Sequence, residues 1–90
     1  MPHAFHVLIV DDEDQSRALI RKLLADHFPN FIVAEAAAVA EAREKIKNNQ
    51  PQLVFLDVQM RKETGFDLLD QLGKRELAII FTTAHSEFAV

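Results

Sequence analysis

The chain has 90 residues, 49% of them hydrophobic, and a net charge of −4 with no cysteine. We therefore predict one folded globular domain over residues 1–90, without a disulfide or a thiolate metal site and compatible with a reducing cytoplasm. The acidic balance argues against direct nucleic-acid binding, no apolar run approaches the ~20 residues of a membrane span, and we expect no signal peptide.

The first strand and helix are predicted from two different sequence patterns. Residues 5–10 form an apolar run typical of a strand, and residues 15–27 have helical periodicity. We predict Asp14 as the N-cap of that helix, because acidic side chains suit its positive end. Pro29 and Asn30 should end it. The predicted apolar stripe consists of Ile20, Leu23, Leu24 and Phe28, with Ala18 and Leu19 at its margin.

The alternation of strand and helix continues to the end of the chain. Strands are predicted at residues 31–36, 53–56 and 77–83. One helix at residues 39–47 should turn Val39, Ala42 and Ile46 to a single face, and another is predicted at residues 66–72. A further helix begins at Glu87. Such a βαβαβαβ order predicts an α/β fold with a parallel sheet and right-handed crossovers.

Asp57 ends the third strand, which is unusual for a carboxylate. Residues 53–56 are all apolar, as in a strand covered by helices on both faces. A carboxylate at the end of such a strand is costly to desolvate unless it has a partner or opens into a crevice. A helix cap would be the ordinary role, but Val58 and Met60 follow rather than a helix.

Parallel topology brings other polar residues to the same edge of the sheet. Asp11 and Asp12 follow the first strand and Thr83 ends the fourth, so they converge with Asp57 if strands one and three are neighbours. Three carboxylates in one crevice repel each other unless protons or a cation neutralise them. All-oxygen ligands favour Mg²⁺, or Mn²⁺, over zinc. A divalent cation beside a carboxylate nucleophile indicates phosphoryl chemistry.

At this point the sequence resembles the receiver domain of a bacterial two-component response regulator. The segments that carry the resemblance match the family in order and spacing over the whole chain; they are residues 7–13, 53–60, 64–66 and 79–84. The resemblance implies a flavodoxin-like doubly wound parallel sheet with strand order 2-1-3-4, the fifth strand and last helix lying beyond Val90. Residues 81–85 also resemble the branch whose receivers precede a LytTR-type DNA-binding domain.

The same resemblance implies a role for each site residue. Asp57 would accept a phosphoryl group from a sensor histidine kinase, and the domain would be a signalling module rather than an enzyme acting on other substrates. Asp12 would bind Mg²⁺ directly, Asp11 mainly through water, and Gln59 through its backbone carbonyl. Thr83 would be the switch hydroxyl, with the small Ala84 beside it. Phosphorylation would then change the surface presented to an output domain or partner.

Two departures from the family pattern affect these expectations. Arg61 stands where the family usually has proline, which leaves the loop after Met60 less constrained. The family's lysine would lie beyond Val90, so we expect slower phosphate uptake than in a chain extended through a fifth strand. We also expect self-association or segment exchange through an exposed fourth strand, and a clean monomer by light scattering at high concentration would contradict this.

Other functions remain open from the residues alone. One is a receiver-like interaction module that works without phosphate. Another is a metal-dependent phosphatase, but such enzymes usually have an acid/base Asp two residues after the nucleophile, where this chain has Gln59. A flavin-binding domain would need a phosphate loop rich in Ser, Thr and Gly after the first strand, where this chain has four acids.

Overall fold

A computed structural model describes residues 4–58, 60 and 77–82 of the chain. Within them, four parallel strands form one sheet in the order β2-β1-β3-β4, which confirms the predicted α/β class and strand order. The elements are β1 (His6–Val10), α1 (Asp14–His27), β2 (Ile32–Ala36), α2 (Val39–Asn49), β3 (Leu53–Asp57) and β4 (Ala78–Thr82). The predicted helices at residues 66–72 and from Glu87 lie outside the described residues.

The helices cover opposite faces of the sheet, which makes the fold doubly wound. Alternate residues of β1 and β3 pack with the α2 side chains Val39, Ala42 and Ile46, all of them buried as the sequence predicts. The intervening residues of β1 pack with Leu24 of α1 on the other face. Because both faces of the central strands are covered, these strands need continuous apolar runs rather than an alternating pattern.

The start of α1 differs from the sequence prediction. Asp14 is the first helical residue rather than the N-cap; the N-cap is Glu13, and no side chain forms a capping hydrogen bond there. The Glu13 backbone N–H is instead bonded to the Asp11 carboxylate, two residues earlier. Such local bonding by Asp is typical of a turn, and here it connects β1 to the helix.

The apolar stripe of α1 is narrower than predicted. Leu24 is buried and Ile20 packs beside it, but Leu23 is 50% exposed and Leu19 and Phe28 are also exposed. Phe28 is the C-cap residue with φ −136°, so its side chain leaves the helical path. Its ring stacks on Phe31, with centroids 4.7 Å apart. The predicted apolar stripe was therefore wrong at Leu23 and Phe28.

Candidate functional site: an acidic cluster at the carboxyl edge of the sheet

All four described strands end together at one edge of the sheet. β1 lies between β2 and β3, and the register pairs Val10 with both Ala36 and Leu56. Asp57 is the last residue of β3 and is paired with Thr82, the last residue of β4. This places Asp11 and Asp12, which directly follow β1, beside the end of β3. The convergence predicted from parallel topology is thus confirmed for the residues that the structure describes.

The Asp11 backbone and side chain are both held in hydrogen bonds. Its N–H donates to the Ala36 carbonyl at the end of β2, at 3.1 Å. Its carboxylate oxygen Oδ1 accepts the Glu13 N–H at 2.9 Å. Only 3% of Asp11 is exposed, so the chain turns from strand to helix around a nearly buried carboxyl group.

The carboxylates of Asp11, Asp12 and Asp57 form one cluster. Each contributes an oxygen atom that lies within 4.8 Å of those of the other two. Asp11 and Asp57 are buried, and Asp12 is partly exposed at the rim. The group therefore combines two buried carboxylates with a third that solvent reaches.

The environment raises the pKa of Asp11 from its ordinary value of 3.8 to about 6. Burial is the largest cause, because desolvation disfavours the charged form. The hydrogen bond from Glu13 lowers the pKa, while the negative charges of Asp57, Asp12 and Glu13 raise it further. Near neutral pH the carboxylate is thus ionised in a site that penalises its charge, and a bound cation would relieve this penalty.

The donor set fits Mg²⁺ or Mn²⁺. Oxygen ligands from carboxylates, with water completing the shell, are what Mg²⁺ prefers in proteins. A cation at this cluster would be held by Asp11, Asp12 and Asp57, and among the residues that the structure describes no histidine joins them. The partly exposed Asp12 leaves one side open for water or a phosphoryl group.

Some predicted site residues cannot be placed. Gln59 and Thr83 lie outside the described residues, as do Arg61, Ala84 and His85. Their assignments therefore stay predictions. The register nevertheless brings the end of β4 next to Asp57, because the Val58 N–H donates to the Thr82 carbonyl at 3.2 Å.

Sequence reasoning passed over two side chains near the cluster. Thr82 has a buried hydroxyl oxygen, Oγ1, with no hydrogen-bond partner in the part of the chain that the structure describes. Arg17 donates to the backbone carbonyl of Asp11 at 2.6 Å and is mostly buried. The only sequence signal for Arg17 is its spacing of three residues from Asp14, which is a common surface pairing on helices.

Comparison with known proteins shows extensive similarity to one family. The model of the response regulator receiver domain matches residues 7–90. The sensory transduction protein LytT of Enterococcus faecalis is 41% identical over 87 residues, covering 94% of this chain and 36% of that protein. LytR of Staphylococcus epidermidis, also a sensory transduction protein, is 40% identical over 85 residues, covering 92% of this chain and 34% of the relative. The chain thus spans about a third of these relatives.

Solved structures show the same fold. The MaeR response regulator bound to beryllium trifluoride superposes with a TM-score of 0.82 at 25% identity, covering 90% of this chain and 68% of that one. The receiver domain of PhyR from Erythrobacter litoralis gives a TM-score of 0.77 at 29% identity, covering 93% of this chain and 66% of that one.

Among the described residues of the present chain, no helix is long and apolar enough to cross a membrane.

Proposed function

This chain belongs to the response regulator receiver domain family, and from that premise we propose that Asp57 is its phosphoacceptor. The donor is a phosphohistidine on a sensor histidine kinase. Residues 1–90 lie within this receiver domain, which catalyses only its own phosphorylation and dephosphorylation. The observation that carries the proposal is the cluster itself: a buried carboxylate at the end of β3, with the carboxylate oxygens of Asp11 and Asp12 within 4.8 Å.

The residues of the cluster have distinct roles in the proposed reaction. Asp11 and Asp12 would hold Mg²⁺ together with Asp57 and the backbone carbonyl of Gln59. When bound, the cation supplies positive charge for the phosphoryl oxygens. The Thr83 hydroxyl donates a hydrogen bond to a phosphoryl oxygen once transfer is complete.

The transfer is balanced without any further reactant. A carboxylate oxygen of Asp57 forms a bond to phosphorus while the bond from phosphorus to the histidine nitrogen breaks. The electron pair of that bond stays on the imidazole, which takes up a proton. Asp57 needs no base, because an ionised carboxylate is already the nucleophile.

The consequence of phosphorylation is a changed surface for an output domain. The similarity to LytT and LytR, both sensory transduction proteins, supports an output domain of LytTR type and a role in transcription regulation. We place this signalling in the cytoplasm, where a sensor kinase would present its phosphohistidine. The chain itself needs no contact with nucleic acid or membrane for this role.

Self-association through β4 is part of the same proposal. In the described sheet β4 pairs only with β3, and its side chains Ile80 and Phe81 are 45% and 47% exposed. An edge strand with exposed apolar side chains tends to pair with another chain, and the occupant we propose is a second copy of this one. Light scattering at high concentration tests this proposal, and a clean monomer would contradict it.

The phosphoacceptor proposal is tested by intact mass after incubation with acetyl phosphate, with and without Mg²⁺. We expect the wild-type chain to gain one phosphoryl group slowly and only with Mg²⁺, because the cation has to offset the charge of the cluster. Asp57→Asn should gain none. Asp26→Asn is the matched control, since Asp26 lies on the exposed side of α1 and pairs with Lys22.

Two outcomes would contradict the proposal. One is a gain that persists in Asp57→Asn, which would place the phosphoryl group elsewhere. The other is no gain in the wild-type chain or in a version extended past Val90. That second outcome would favour the interaction module that works without phosphate.

A further inference from the structure

We propose that Arg17 is a positioning residue for the acidic cluster, holding the turn between β1 and α1 that carries Asp11 and Asp12. The inference rests on the proposed metal site, because it assigns a role in building that site. Arg17 would not itself bind the cation, because the cluster that would hold the cation consists of carboxylates. Its effect on them is exerted through the backbone.

The Arg17 guanidinium makes contacts in three directions. One terminal nitrogen, Nη1, donates to the backbone carbonyl of Asp11 at 2.6 Å, and Nε donates to Oε1 of Glu35 at 3.1 Å. The other terminal nitrogen, Nη2, pairs with Asp14 one helical turn earlier. The side chain is only 12% exposed, so the bonds to Asp11 and Glu35 are partly shielded from water, whereas Asp14 lies in solvent.

These contacts fix the turn from both of its flanking elements. Glu35 lies in β2, where it is paired in register with Ile9 of β1, and Arg17 lies in α1. A bond from Arg17 to the Asp11 carbonyl therefore connects the end of β1 to a rigid helix and, through Glu35, to the neighbouring strand. A planar guanidinium with several donors suits this arrangement because its geometry is rigid. The Asp11 peptide has little freedom left to rotate.

The charge of Arg17 alone would have the opposite effect on metal binding. A positive group near three carboxylates repels a cation, so removing it should tighten metal binding if charge were all that mattered. If Arg17 positions the carboxylates, removing it should weaken metal binding because the oxygen atoms lose their mutual geometry. The sign of the change therefore separates the two roles.

Arg21 provides a matched control. It pairs with Oε2 of the same Glu35 at 2.9 Å, but within the described part of the chain it forms no hydrogen bond with Asp11, and its side chain is 57% exposed. Arg17→Gln and Arg21→Gln each remove one positive charge from α1 and one partner from Glu35. Only Arg17→Gln removes the bond to the Asp11 carbonyl.

The first measurement is Mn²⁺ affinity by isothermal titration calorimetry. We expect Arg17→Gln to bind Mn²⁺ roughly tenfold more weakly than wild type, the size typical of losing a residue that orients metal ligands. Arg21→Gln should stay within about twofold of wild type, because its charge is exposed and screened. Should Arg17→Gln fail to fold, Arg17→Lys keeps the charge but not the fork of donors, and weaker binding is again expected.

The second measurement needs no metal. The Glu13 N–H, bonded to the Asp11 carboxylate, should exchange with solvent roughly tenfold faster in Arg17→Gln than in Arg21→Gln, since the turn opens locally. The amide of Ile9 in the central strand serves as reference, because a general loss of stability would accelerate both amides equally. A structural role confined to stability would leave the ratio of the two rates unchanged.

The two proposals fail in different ways. Wild-type protein that binds no Mn²⁺ would overturn the proposed metal site, while the exchange ratio would still decide the role of Arg17. Binding by wild type that is equally strong or stronger in Arg17→Gln would overturn the positioning role. An unchanged exchange ratio would overturn it as well.

Discussion

Asp11→Asn should stabilise the metal-free protein by about 3 kcal/mol at pH 7 and by almost nothing near pH 4. The reason is the carboxyl pKa, which burial raises from 3.8 to about 6 in the folded chain. Asparagine removes the buried charge but keeps an oxygen that accepts the Glu13 N–H. The variant therefore avoids the cost of burying a charge and keeps the hydrogen bond that forms the turn.

The direction of the pH dependence follows from proton binding. Because the folded pKa of Asp11 lies above the unfolded value, the folded state binds the proton more tightly between about pH 4 and pH 6. Its contribution to stability is most favourable below pH 4 and is lost as the pH rises to about 6. The wild-type chain should therefore lose stability over this window relative to Asp11→Asn.

Urea unfolding followed by far-ultraviolet circular dichroism measures this difference, since the chain has neither Trp nor Tyr. Both proteins are compared with chelator present at each pH, with Asp26→Asn as an exposed carboxylate control. Adding Mg²⁺ at pH 7 should stabilise wild type more than Asp11→Asn. An Asn variant that is less stable than wild type at pH 7, or a difference that does not vary with pH, would contradict the account.

Leu24→Ala should cost about 3 kcal/mol of unfolding free energy, the usual range for a buried leucine. Leu23→Ala, at the neighbouring position, should cost less than about 1 kcal/mol. Leu24 is 6% exposed and packs with Val7 and Ile9 of the central strand, whereas Leu23 is 50% exposed. A cavity beneath α1 lowers the free energy of unfolding strongly, whereas shortening a half-exposed side chain lowers it little.

The pair of leucines is its own control. Both substitutions replace leucine by alanine in the same helix, so the change in helix propensity is the same. The two variants therefore differ in how deeply the removed leucine side chain is buried. Urea unfolding of the two variants under identical conditions gives the comparison. Equal costs would show that both leucines are covered and that the predicted stripe was right after all.

The fold could be predicted because its signals are local and consistent. Continuous apolar runs at β1 and β3 indicate strands covered on both faces, and Val39, Ala42 and Ile46 repeat at helical spacing. Parallel topology then brings Asp11, Asp12 and Asp57 together without knowledge of any side-chain geometry. The acidic cluster is thus a consequence of strand order.

The details of α1 could not be predicted in the same way. Whether Leu23 or Leu24 faces the sheet depends on how the helix is rotated, and the leucines at both positions fit an apolar stripe. The N-cap assignment was wrong because Asp11 bonds the Glu13 N–H from before the helix. The contact between Arg17 and Glu35 joins residues 18 apart in the sequence, where no spacing rule applies.

We expect Asp11, Asp12 and Asp57 to form one site for a divalent cation. Paramagnetic broadening of backbone amide signals by substoichiometric Mn²⁺ tests it most directly, with each amide observed separately. The amides of Asp12, Glu13 and Val58 should broaden first, the Asp26 amide should be unaffected, and Asp12→Asn should remove the effect. Broadening spread evenly over the exposed acidic residues, or unchanged in Asp12→Asn, would contradict the claim.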